Sequence, residues 1–194
     1  MDYLIFNIPE LPGDAADISL LPPEEQREAS RRGNTYALVR TLLRQELARR
    51  TGNTASEIQF YYSEHGKPLY SPQPFNISHS GDCLCMAFHH LPIGVDVERK
   101  RPRRFTELAP RIMCEQQLQI FQASETPQDD FFVCWCVAEA LVKHAGDTIW
   151  NARNYPFIYH HGRIECLFDN PPAVHLFTPM PGYQGAIAYT KSEP

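Results

Sequence analysis

Asp96 and Glu98 stand two apart in the run Gly94-Val95-Asp96-Val97-Glu98, and Glu139 stands four before Lys143. In a strand alternate side chains share a face, so the two acids point one way while Val95 and Val97 point into a core. On a helix Glu139 and Lys143 share a face. Alone, such a pair is an ordinary surface ion pair of little consequence. Beside Asp96 and Glu98 it has another use. Three carboxylates, completed by waters and phosphate oxygens, suit Mg²⁺, which wants hard oxygen ligands and few protein groups. Lys143 would then neutralise a phosphate on that metal. Just upstream, Phe75-Asn76-Ile77-Ser78-His79-Ser80 carries small polar groups that can grip an anion, with Ser78 and His79 the foremost candidates.

The elements that must carry these groups follow from periodicity and breakers. Residues 3–8 read as a strand, and Pro22-Pro23-Glu24-Glu25 as a helix start with Pro and acids in the first turn. An interruption is expected near Gly33. Leu38, Leu42, Leu43 and Leu47 then form an apolar stripe along a helix over 35–50, stopped at Gly52. A short aromatic strand over 58–62 precedes a turn bearing Lys67. Residues 75–77 and 83–88 read as strands around a turn at Ser78-His79-Ser80-Gly81, and the acidic strand follows a second turn at 92–94. One helix is expected over 105–121 and another over 131–144, stopped by Gly146. Residues 155–189 alternate short apolar runs with Pro and Gly turns, as small antiparallel strands do. The order strand, helix, strands occurs twice, and the turn at 92–94 is the natural division.

The chain's 194 residues suit one compact domain or two small, closely packed halves, and 43% hydrophobic with 21% charged residues is ordinary globular composition. A net charge of −5 argues against nucleic acid as a partner. No basic n-region or long apolar window is present, so a cytoplasmic protein without membrane association is expected. The six cysteines form no CxxC pair and are expected to be reduced, buried small hydrophobes; a zinc site from the two CxC pairs is the weaker alternative. Most arginines between 27 and 50 suit a solvated helix surface, with one or two reaching an anionic ligand. The basic run at 99–104 reads either as a solvated connector or as a docking patch for an acidic partner. His160, His161 and His175 suit surface or turn positions and carry no assigned role.

Four blocks together resemble the 4′-phosphopantetheinyl transferases of the larger, Sfp-like type: Gly66-Lys67-Pro68, the Asn76 to Ser80 block, Gly94 to Glu98, and residues 135–143. With the upstream arginine-bearing helix they span residues 27–143. The resemblance implies an α+β fold of two similar α/β halves related by pseudo-twofold symmetry, 1–93 and 94–194, with the cofactor bound between them in a monomer. It implies transfer of the 4′-phosphopantetheine arm of coenzyme A to a serine of an apo acyl or peptidyl carrier protein, releasing 3′,5′-ADP. Asp96, Glu98 and Glu139 would hold Mg²⁺. Lys143 would contact the pyrophosphate, and Glu139 would take the serine proton. Asn76, Ser78 and His79 would hold coenzyme A, with Lys67 and Pro68 at its adenosine end. Arg31, or its neighbours Arg27 and Arg32, would reach the 3′-phosphate. An acidic carrier would dock near 99–104. One departure stands out: the family's Trp-x-x-Lys-Glu-Ala block has Ala138 at the Lys position. It leaves open a slower enzyme, an enzyme compensated by another cation, or a coenzyme A binder without turnover. A metal-dependent phosphohydrolase on the same three acids is the further alternative.

Overall fold

The computed structural model describes residues 1–191. Close contacts divide the chain into two units, residues 6–73 and residues 1–5 with 74–194.

In the smaller unit, α1 (Pro23–Arg32) starts on a proline with Glu24 and Glu25 in its first turn, and Gly33, at φ 84°, separates it from α2 (Asn34–Thr51). Gly52 ends α2 in the left-handed conformation that a side chain disfavours. Leu43 and Leu47 are fully buried, and so is Arg44. The Arg44 guanidinium donates to Glu25 Oε2 at 2.9 Å and to the Ile58 carbonyl at 2.6 Å, with the Phe60 ring 4.9 Å away. The aromatic strand expected over 58–62 is shorter, and β2 (Tyr61–Tyr62) pairs with β3 (Pro68–Leu69) around the tight turn of Gly66.

The larger unit carries two three-stranded sheets. β1 (Asp2–Asn7), β4 (Phe75–Ser80) and β5 (Cys83–Phe88) take the order β1-β5-β4, while β6 (Ile93–Arg99), β9 (Ala173–Phe177) and β10 (Tyr183–Tyr189) take the order β6-β10-β9. In each, the first strand of its stretch lies beside the last. Each stretch also holds a separate two-stranded ribbon, β2-β3 in one and β7 (Phe157–His160) with β8 (Arg163–Cys166) in the other. The turn expected at 92–94 is a bend at residues 90–91, since Ile93 and Gly94 already pair with β10; the strand order repeats on its two sides, although β4, β5 and β6 lie in one contact unit.

Three helices precede the second ribbon: α3 (Phe105–Ile112), α4 (Glu115–Gln122) and α5 (Pro127–Ala145). The single helix expected over 105–121 is thus two, broken where Met113 turns to extended backbone. That residue is buried in the same apolar cluster as Ile112 and Phe121, so packing sets the break. α5 is buried nearly all round and packs on β6 and β10, the pattern of a central helix. Val95 and Val97 are buried as the alternation requires. All six cysteines are free, and burial pushes the Cys83 thiol up to about 11. Among the described residues no helix is long and apolar enough to cross a membrane.

Candidate active site

The polar block that reads as a turn is strand. β4 runs unbroken through Ser80, antiparallel to β5, and the chain reverses at Gly81 (φ 56°) instead. The cause is tertiary. Asn76, Ser78 and Ser80 alternate on one side of β4 and meet the free edge of β6. Asn76 Oδ1 accepts from Val95 N at 2.8 Å, Ser78 Oγ from Val97 N at 3.2 Å, and Ser80 Oγ from Arg99 N at 3.1 Å. β10 pairs with the other edge of β6. Side chains thus replace the backbone ladder between the two sheets, each bond contributing about 1 kcal/mol net while sparing a buried N–H from being orphaned.

The same two serines reach the acids. Ser78 Oγ donates to Asp96 Oδ1 at 2.8 Å, and Ser80 Oγ donates to Glu98 Oε2 at 2.9 Å. Asn76 and Ser78 are buried with their oxygens engaged, whereas His79, on the opposite side of the strand, is exposed.

α5 brings the other charges. Along residues 131–143 it carries only Glu139 and Lys143 as charged side chains. Its approach depends on Gly94, where a Cβ would fall 2.1 Å from the Ala140 carbonyl oxygen and 2.4 Å from His144 N. Helix backbone and strand backbone touch there, and only glycine permits it. The helix is thereby set so that Lys143 Nζ lies 2.7 Å from Asp96 Oδ1, 3.2 Å from the Val95 carbonyl and 4.0 Å from Glu139 Oε2. The Glu139–Lys143 pair is therefore not an isolated surface pair, because the ammonium's short contact is to a buried acid from another element. Burial works against the Lys143 charge, but Asp96 and Glu139 outweigh it and raise its titration above the usual lysine value. Burial lifts the Glu139 carboxyl above the ordinary range; Lys143 draws it back in part, and the charges of Asp96 and Glu98 add to the rise.

Asp96 is 5% exposed, and its second oxygen, Oδ2, is buried with no hydrogen-bond partner. The Cys136 thiol, a weak donor, lies against the Asp96 carboxylate and bonds the Gln184 carbonyl at 3.5 Å. An unpaired carboxylate oxygen beside two further acids fits a hard cation. Among the described residues, however, no group of three or more His, Cys, Asp or Glu is gathered closely enough to hold a metal as it stands. The Lys143 ammonium lies within ion-pair distance of both Asp96 and Glu139.

Glu98 holds a cation from the basic run at 99–104. Arg103 donates to its Oε2 at 2.9 Å and lies over the Phe132 and Trp135 rings of α5 at 5.8 and 6.0 Å. Nothing in the local sequence separates Arg103 from its basic neighbours. Its signal is only its spacing from Glu98 and the aromatics of α5. The rest of the run is less free than its composition suggests. Arg99 pairs with Asp82 at 3.9 Å, Lys100 with Asp129 at 2.7 Å and Arg104 with Glu107 at 3.7 Å. Ala138, the departure in the fourth block, is 1% exposed within the apolar cluster.

The remaining sequence candidates belong to the smaller unit. Arg31 and Arg32 both pair with Glu28, at 2.6 and 2.8 Å, on an exposed helix surface. Lys67 and Pro68 flank the Gly66 turn, where Ser63 N bonds the Lys67 carbonyl at 2.9 Å.

The profile of the 4′-phosphopantetheinyl transferase superfamily matches residues 92–178, which hold β6, α5 and all three acids. The chain is 30% identical over 189 residues to the 4′-phosphopantetheinyl transferase ffp of Bacillus subtilis, covering 87% of this chain and 82% of that one. It is 31% identical over 139 residues to the 4′-phosphopantetheinyl transferase Sfp of Bacillus subtilis, covering 66% of this chain and 62% of that one. It is 29% identical over 132 residues to the 4′-phosphopantetheinyl transferase AcpT of Escherichia coli K12, covering 63% and 67%. The solved holo-[acyl-carrier-protein] synthase of Thermotoga maritima is a slight likeness, at TM-score 0.41 and 17% identity over 52% of this chain and 64% of that one. With most of its length aligned to a relative at this identity, the chain belongs to the 4′-phosphopantetheinyl transferase superfamily.

Proposed function

We propose that the protein transfers the 4′-phosphopantetheine arm of coenzyme A to a serine of an apo acyl or peptidyl carrier protein, with Mg²⁺ and release of 3′,5′-ADP. The observation that carries the reading is the half-satisfied Asp96, with one oxygen clamped by Ser78 and Lys143 and the other buried with no donor stronger than the Cys136 thiol.

Asp96, Glu98 and Glu139 would hold the cation, which supplies charge neutralisation at the diphosphate when bound. The chain's own residues do the rest. The carrier serine oxygen attacks the phosphorus that bears the pantetheine arm. A new P–O bond forms, and the bond to the bridging oxygen breaks. The electron pair leaves with 3′,5′-ADP. Glu139 accepts the serine proton, directly or through a water. Its burial favours the protonated form and so suits it to receive that proton. Lys143 turns from Asp96 to the diphosphate and stabilises the charge that develops there. His79 is exposed and available to coenzyme A. Ser78 and Asn76 act on the site by fixing β6 rather than by open hydroxyl and amide groups.

Ala138 does not argue for a binder without turnover. It is buried among apolar side chains, while Lys143 and Arg103 bring two cations to the acids. A carrier docks across 99–104, where Arg101 is exposed and the outer pairs of Arg99 and Arg104 are exposed and weak enough to exchange partners. The test is the intact mass of an apo carrier incubated with the protein, coenzyme A and Mg²⁺. Gain of one phosphopantetheine arm is expected. Phosphate release from coenzyme A without a carrier, and no gain on any carrier, would favour a phosphohydrolase instead.

A further inference from the structure

The two acids of β6 are held in the same way. Asp96 takes a serine hydroxyl from β4 and a cation on one oxygen, Ser78 and Lys143 on Oδ1. Glu98 takes a serine hydroxyl from β4 and a cation on one oxygen, Ser80 and Arg103 on Oε2. The contacts to Glu98 leave Oε1 open, as those to Asp96 leave Oδ2. Arg103 is itself fixed. Its side chain is 20% exposed, far less than the 57% of Arg99 and 84% of Arg104, and it lies over two aromatic faces of α5. Trp135 is one turn before Glu139 on that helix. Arg103 thus ties the strand bearing two acids to the helix bearing the third.

We infer that Arg103 is a positioning residue of the active site: it clamps Glu98 Oε2 so that Oε1 faces the cation site, and it brings to the acids a second positive charge where Ala138 brings none. This rests on the metal-dependent transfer proposed above. A member of the docking patch would do something different, because it would set carrier affinity and leave the cation site alone. A guanidinium suits the clamp better than an ammonium, since its planar fork can bond the carboxylate and lie on aromatic faces together.

The probe is Mn²⁺, titrated calorimetrically into the whole protein saturated with coenzyme A, with carrier kinetics measured in parallel. Arg103→Gln is expected to weaken Mn²⁺ about tenfold, the low end for losing a group that orients a metal ligand. It should lower kcat and leave the carrier KM unchanged, and Arg103→Lys should recover part of the loss. Unchanged Mn²⁺ affinity with a raised carrier KM would overturn the inference and make Arg103 a docking residue. A rise in Mn²⁺ affinity would also overturn it, since Arg103 would then compete with the cation. Ser80→Ala, which removes the other donor to Oε2, should weaken Mn²⁺ about threefold by loss of one orienting bond. No change there contradicts the clamp even where Arg103→Gln does not fold. Failure of the wild-type protein to bind Mn²⁺ would overturn the metal reading itself and this inference with it, whereas wild-type binding retained in both variants removes the inference alone.

Discussion

Each of the two units holds an ion pair on a buried acid, Glu25 in one and Asp96 in the other, and the two pairs are finished differently. In the smaller unit Arg44 and Glu25 are buried together, and the guanidinium also meets the carbonyls of Ala55 and Ile58 and the face of Phe60. Its neighbour Arg40 lies 3.7 Å from the other Glu25 oxygen, with the Tyr36 and Phe60 rings against its guanidinium and Nη1 making no hydrogen bond. In the larger unit Lys143 lies 2.7 Å from Asp96 Oδ1, and Asp96 Oδ2 has no donor stronger than the Cys136 thiol. A buried pair closed by backbone carbonyls and a ring serves the fold. A buried carboxylate oxygen left without a strong donor costs stability, and it is of use to a cation that binds there.

The contrast breaks most sharply by mutation. Arg44→Met should cost about 3–5 kcal/mol in denaturant unfolding, because Glu25 is left charged and buried, while any protein still folded keeps its transfer rate. Asp96→Asn should do the reverse, lowering kcat about 10²–10³-fold with little change in the unfolding midpoint. Gly94→Ala should fall between them: its methyl group meets the α5 backbone, and displacing that helix should cost about 1–3 kcal/mol as overpacking does, with Lys143 drawn off Asp96 and activity falling further than stability.

The smallest effect has a pH signature. Folding raises the Glu139 carboxyl above its ordinary 4.5, so between that value and the raised one the folded chain binds more protons than the unfolded. Stability from this group therefore falls as pH rises through that window. Glu139→Gln should melt slightly above wild type at neutral pH, with the difference closing below the ordinary carboxylate range. An advantage that grows toward acid would contradict the assignment.

Much of this was legible in the residues. Alternation placed Asp96 and Glu98 on one face and Val95 and Val97 in the core, and Gly33, Gly52 and Gly146 stop helices where glycine was expected to. What escaped depends on partners distant in sequence. Ser78, His79 and Ser80 resemble a turn because small polar residues favour turns locally, yet β6 supplies the N–H groups that keep them extended. Gly94 reads as punctuation until α5 is laid on it. The run at 99–104 looks uniformly solvated, and only the fold turns Arg103 inward onto Glu98. The break at Met113 comes from packing that helical periodicity does not encode.

The most direct test compares wild type with Asp96→Asn, at matched folded fraction, in the intact-mass assay on an apo carrier with coenzyme A and Mg²⁺. A carrier gaining one phosphopantetheine arm is expected with the wild-type protein, and almost none with the variant over the same time. Equal conversion by the two proteins would contradict this expectation.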